Sequence, residues 1–255
     1  MTPFAKAMAR CAGLDEDALS RRWSFRDKPM DARYALYRTL EDAQEALVQA
    51  AAGPHPESQR ILALAQRDFG ALRGLLIGLP AELLDQAPHQ GEWPVREALR
   101  HVLWVERRYA IQTLYAVTRG DTEPIRIPDA RLPPLEDMDA SGDAATVLAR
   151  IAEARTESNR RLGDLSPVAM VRPTVWASYD VDVRFRLHRF ATHVVEHTVQ
   201  CEKTLAALGW RVTEGRHIVR RISSALGELE GLGALEVARA IEARLVERTV
   251  SIAGG

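Results

Sequence analysis

The run from Val181 to Leu208 constrains the fold most, because neither Pro nor Gly breaks it and Phe185, Phe190, Val194, Val195, Val199, Leu205 and Leu208 recur at roughly helical intervals. Comparable periodicity predicts helices over Thr2 to Ala12, Asp15 to Trp23, Asp31 to Ala52, Glu57 to Gly78, 94 to 117, 143 to 163, Thr213 to Leu229 and Ala234 to Val250. No stretch alternates like a β-strand over a useful length, and no internal repeat or low-complexity segment stands out. The expectation is therefore an all-α protein. Four of its helices, 57 to 78, 94 to 117, 143 to 163 and 183 to 208, can form a four-helix bundle joined by two long crossovers. The first crossover, residues 119 to 142, is broken by Gly120, Pro124, Pro128, Pro133, Pro134 and Gly142. Aperiodic loops of that length are uncommon in compact domains and often functional. The second, Ser166 to Asp182, runs directly into the Val181 helix and can reach over whatever that helix holds.

With 255 residues and 46% apolar residues, the chain can fill a real core. Its 34 basic and 35 acidic residues leave a net charge of -1, which gives no global bias toward nucleic acid or an anionic membrane. Neither is expected as a partner. Cys11 and Cys201 lie far apart on two expected helices, which suits a reducing compartment better than a disulfide framework. The first residues have no apolar core of signal-peptide length, and no window approaches the ~20 apolar residues of a membrane span. A cytoplasmic location follows as the expectation.

Within the long helix, His193 and His197 are four residues apart, so they share a face with Cα atoms about 6 Å apart along the axis. Two imidazoles at that spacing can converge on one cation. On its own, such a pair is more often surface or hydrogen-bonded core than a metal site. A third ligand must come from elsewhere, and His101 in the middle of the 94 to 117 helix is a candidate because its neighbours predict that it points inward. His188 falls about 140° round the helix from His193 and is left out.

The segment Trp93-Pro94-Val95-Arg96-Glu97-Ala98-Leu99-Arg100-His101, followed by His193-x-x-x-His197 on the later helix, resembles the DinB-like superfamily. The helix order, the long crossover from the second to the third bundle helix at 119 to 142 and the Leu208-Gly209-Trp210 ending are similar to that family as well. The resemblance covers about residues 56 to 210. It implies a DinB-like four-helix bundle; the chain departs from the family in length, with an N-terminal helical extension, residues 1 to 55, and a C-terminal one, residues 211 to 255, expected to pack on the bundle. It also implies that His101, His193 and His197 hold one divalent metal with further positions open to water or substrate.

Known relatives use bacillithiol or mycothiol, so the resemblance points to a low-molecular-weight thiol cosubstrate, or else water, activated for S-transfer, isomerisation or hydrolysis on a small electrophile, as in detoxification. Imidazole suits Zn²⁺, Ni²⁺, Fe²⁺ and Mn²⁺ alike, and zinc is the choice on prior grounds alone. Glu97, one turn before His101, and Glu196, next to His197, are candidates to orient an imidazole or act as a base. Ordinary surface carboxylates are the plainer assignment. Trp93 is assigned to packing at its helix start and Arg189 to a surface salt bridge. The added flanks leave a homodimer, the family's habit, in doubt. The alternative function is a noncatalytic bundle that binds metal, a small ligand or a protein.

Overall fold

The computed structural model describes residues 2–253. Helix α1 (Pro3–Ala12) leads through a single turn, α2 (Glu16–Leu19), into a hairpin of β1 (Arg22–Phe25) and β2 (Lys28–Asp31) and then into α3 (Ala32–Ala51). Next come α4 (Glu57–Leu76), a short α5 (Ala81–Leu84) and α6 (Val95–Thr118). A long crossover with two isolated 3-10 turns reaches α7 (Ala144–Leu162). The second crossover holds α8 (Pro167–Met170) and a hairpin of β3 (Pro173–Trp176) and β4 (Tyr179–Asp182). Helices α9 (Val183–Ala207), α10 (Glu214–Gly231) and α11 (Leu235–Ala253) complete the chain. Among the described residues no helix is long and apolar enough to cross a membrane.

Local chemistry explains most boundaries. Asp31, Asp143 and Asp182 each accept a hydrogen bond from the backbone N–H three residues on, capping α3, α7 and α9. Thr213 does the same for α10. Helix α6 begins directly behind Pro94, and α4 behind Pro56.

The helix expected over Asp15 to Trp23 ends at Leu19, because Arg22–Phe25 pairs antiparallel with Lys28–Asp31. Arg26 and Asp27 turn that hairpin in the left-handed region, at φ 50° and 62°. Its counterpart pairs Pro173–Trp176 with Tyr179–Asp182 around Ala177 at φ 53°. Both hairpins are four residues to a strand and lie outside the sequence's all-helical expectation.

Helices α4, α6, α7 and α9 pack as the four-helix bundle, with α4 against α7 and α9, and α6 against α7 and α9. One apolar cluster gathers Phe69, Leu72, Leu99, Val102, Val147, Ile151 and Val194; another gathers Ile61, Leu62, Leu162, Leu187 and Phe190. A buried polar group belongs to the same interior. Arg155, fully buried, donates to Glu106 at 2.9 Å and to Gln66 at 2.9 Å, and Ser158 donates to Glu106 at 2.6 Å.

The flanks do not decorate the bundle separately. Helices α1 and α3 from the start of the chain pack with α10 and α11 from its end: α1 against α10 and α11, and α3 against α10 and α11. Their shared core holds Met8, Leu36, Ile222, Leu226, Ile241 and Leu245. This set repeats the packing of the first, with α10 in the role of α4, α11 of α6, α1 of α7 and α3 of α9.

The correspondence extends to single residues. Arg21, Asp31, Arg33, Leu36, Arg38 and Glu45 match Arg172, Asp182, Arg184, Leu187, Arg189 and Glu196 in order and spacing. Glu57, Ile61, Gly70, Leu72 and Gly74 match Glu214, Ile218, Gly227, Leu229 and Gly231. The chain therefore carries an internal repeat after all, with its two copies read in cyclically shifted order.

The two sets meet through α4 and α10 in an isologous contact, in which each residue's partner is partnered in return. A Cβ on Gly70 would lie 2.3 Å from the Ser223 carbonyl oxygen, and one on Gly227 would lie 2.4 Å from that of Gln66. Gly74 and Gly231 approach Cα of Arg220 and Ala63 in the same reciprocal way, at 2.6 Å each. Arg184 pairs with Glu57 at 2.6 Å and Arg33 with Glu214 at 2.7 Å, one ion pair on each side.

Candidate metal centre

Helices α6 and α9 pack side by side and bring together the three imidazoles that the sequence singles out. One nitrogen from each of His101, His193 and His197 lies within 4.8 Å of the others. His193 is 7% exposed, whereas the other two are half-buried, so the cluster sits at the edge of the bundle interior. The ring centroids of His101 lie 5.3 Å from His193 and 4.8 Å from His197.

The Nε2 atoms of His193 and His197 are 3.1 Å apart. Two imidazoles bound to one tetrahedral ion at about 2.0–2.1 Å place their nitrogens about 3.3 Å apart, so the pair has the separation a shared cation needs. On the other side of its ring, His197 places Nδ1 2.7 Å from Gln200 Oε1. An amide oxygen can only accept, so Nδ1 carries the proton and donates, leaving the Nε2 lone pair directed at the cluster.

The electrostatics favour the neutral ligand form. Burial holds His101 down to about 4, helped by nearby His197. Burial again, with His197, His101 and Arg189 adding positive neighbours, pushes His193 down to about 2. Burial also lowers His197, against the opposing hydrogen bond to Gln200. Three uncharged imidazoles aimed at one point fit a divalent cation by donor chemistry, spacing and protonation state.

The two carboxylates proposed beside the ligands each face an arginine. Glu97 pairs with Arg100 at 3.3 Å and Glu196 with Arg189 at 3.1 Å; among the described residues neither hydrogen bonds to an imidazole. Gln200 occupies the orienting position instead. It stands three residues after His197, a spacing visible in the sequence to anyone looking for a second-nitrogen partner other than a carboxylate.

Trp93, assigned to packing, is 42% exposed with its ring 5.3 Å from that of His101, so it walls the cluster. Trp104 and Tyr109 close other sides, 5.4 Å from His101 and 5.8 Å from His193. Val195 and Val199, counted in the apolar face, are exposed at 43% and 47%. Cys201 lies one turn beyond His197 but is buried, and burial pushes its thiol up to about 12. It packs as an apolar side chain, not as a nucleophile.

A four-helix bundle with three imidazoles from its second and fourth helices defines the class of protein. The DinB superfamily matches residues 64–201, and the chain belongs to that superfamily. Among solved structures it is similar to YfiT from Bacillus subtilis, described as a probable metal-dependent hydrolase with an unusual four-helix bundle topology. The two are 15% identical with a TM-score of 0.51, over 63% of this chain and 93% of that one, a likeness of fold. No curated protein matches the chain.

Proposed function

We propose that this chain is a metal-dependent enzyme in which His101, His193 and His197 hold one divalent cation, zinc by preference, beside a small-molecule site. The observation that carries the proposal is the convergence of three neutral imidazole nitrogens within 4.8 Å. With a divalent cation bound there, these three imidazoles would hold a Lewis acid able to bring the pKa of a thiol or a water down toward neutrality. His193 and His197 keep their lone pairs on the site because burial disfavours their protonation and Gln200 holds one ring in place. Trp93, Trp104 and Tyr109 restrict solvent around it.

The attacking group is a low-molecular-weight thiol or water, and the substrate is a small electrophile. YfiT's description as a probable metal-dependent hydrolase supports water; the superfamily resemblance supports a thiol. Elemental analysis of protein purified without an affinity tag or chelator is expected to find a divalent metal that His197→Ala loses while the fold persists. Incubation with electrophile panels, with and without added thiol, then separates hydrolysis from S-transfer. Untagged protein that neither carries nor takes up a divalent ion sinks the reading.

A further inference from the structure

A cavity of about 280 Å³ is lined by Trp104 and Tyr109, whose rings lie 5.4 Å from that of His101 and 5.8 Å from that of His193; the imidazoles themselves do not line it. Both crossovers contribute to it: Arg126 from the first, and Val175 and Trp176 from the second hairpin. Its charge is unusual. Arg108, Arg126 and Arg186 all line it, and Asp129 is the one carboxylate that does. None of the three guanidiniums forms an ion pair with a carboxylate among the described residues. Arg108 lies over the Trp104 ring at 4.7 Å and donates to the Pro133 carbonyl, and Arg126 donates to the Ala177 carbonyl.

Arg186 is the informative member, because it is 2% exposed. It donates from Nη1 to the Val175 carbonyl at 2.7 Å and from Nη2 to Gln112, while its Nε has no partner. Burial lowers its affinity for a proton only to about 10, so it remains a cation at neutral pH. Contrast Arg155, equally buried, which is matched by the Glu106 carboxylate. A buried guanidinium that lies over the Tyr109 ring at 5.4 Å and hydrogen bonds only to neutral oxygens, in a wall of net positive charge, lacks its counter-charge. A planar fork of N–H donors suits a carboxylate or phosphate group, which it can bind through two parallel hydrogen bonds.

We propose that this cavity is an anion subsite, in which Arg186 and Arg126 bind a carboxylate or phosphate group of a small substrate whose reacting end lies at the imidazole cluster. The inference rests on the metal reading only for the position of the reacting end; the anion subsite stands without the cation. The aromatic walls Trp104, Tyr109 and Trp176 favour an organic body of a few carbons beyond the anion.

The test is calorimetric titration of metal-stripped full-length protein with succinate, with inorganic phosphate and with chloride as control. Stripping prevents the anions from binding a cation instead. Saturable binding of succinate or phosphate is expected, and the preferred probe distinguishes the two chemistries. Arg126→Gln, on an exposed loop, is expected to weaken it at least fivefold, and Arg186→Met at least tenfold, with metal uptake unchanged in both. Should Arg186→Met fail to fold, Arg126→Gln and the wild-type titration decide. No saturable binding of either anion, or wild-type affinity in Arg126→Gln, overturns the proposal. Loss of metal binding in His197→Ala with anion binding retained separates the two sites, so failure of either reading shows independently of the other.

Discussion

At the scale of single residues, the histidines were legible because their chemistry is local to a spacing, whereas their supporting partners depend on tertiary contact. His193 and His197 advertise a shared face, and His101 was singled out by its inward position on another helix. Nothing in the sequence says that Trp93 leans on His101 and not on its own helix, or that Glu97 turns to Arg100. Gln200 fixes the tautomer of His197 by accepting from its Nδ1. Replacing it with Leu is expected to weaken metal binding about 10–100-fold while leaving one ion bound at saturation, as loss of an orienting partner does. Competition with a graded chelator reads that shift, and an unchanged affinity would remove Gln200 from the site. A second prediction concerns Arg155 and Glu106, a pair invisible in sequence because each residue alone reads as helix surface. Glu106→Ala strands a fully buried guanidinium and is expected to cost about 3–5 kcal/mol in urea unfolding. A loss below about 1 kcal/mol would mean that Gln66 and Asn159 satisfy Arg155 unaided.

At the scale of elements, the long helices were read nearly end to end because apolar periodicity and Asp, Thr or Pro starts agree with one another. The hairpins escaped for a physical reason. Their strands are four residues long, and their turns use Arg26-Asp27 and Ala177-Ser178, without the Gly or Asn that normally marks a left-handed turn. Both hairpins act by placement: the second carries Val175 and Trp176 into the cavity beside the imidazoles. The contact of α4 with α10 was equally hidden, since Gly70 and Gly74 inside an amphipathic helix look like a propensity cost. Their purpose is close approach. A methyl group on Gly70 or Gly227 meets a facing carbonyl oxygen at less than van der Waals distance, so the helices must separate. Gly70→Ala and Gly227→Ala are each expected to destabilise by about 1–3 kcal/mol despite alanine's better helix propensity. Because they open the same seam, the double variant should lose less than the sum. Unfolding midpoints for the three variants check this, and stabilisation by either alanine would refute the close contact.

At the scale of the whole molecule, the chain is two sets of four helices, and only one of them carries the imidazoles. The repeat is faint in the sequence because its copies are cyclically shifted and agree mainly in caps, ion-pair residues and glycines, while apolar positions trade one side chain for another. Lining up Asp31 with Asp182 sets Asp42 where the first set has His193, and Ala46 where it has His197. Arg38 and Arg248 both bond the Asp42 carboxylate, and Arg244 lies 3.7 Å from it. An ion cluster thus occupies the place of the imidazole cluster, which leads to the expectation that metal titration followed by native mass spectrometry saturates at one ion per chain. The cluster also predicts a pH dependence. Burial of Asp42 works to raise its pKa, but the hydrogen bonds from Arg38 and Arg248 prevail and hold it below its ordinary 3.8. The folded state therefore binds this proton less readily than the unfolded chain does. The stability it contributes is present above that ordinary value and is lost as pH falls through the lower, folded one. Asp42→Asn is expected to cost about 1–3 kcal/mol in urea unfolding at pH 7, because the largely buried Arg248 loses its carboxylate and Arg38 keeps only Glu41 and Glu45. Since the wild-type carboxylate is itself neutralised in acid, the gap between variant and wild type should narrow as the pH is taken below 3.8. A gap that persists unchanged into acid would show that Asp42 acts there through its shape, with its charge contributing nothing to holding the second set together.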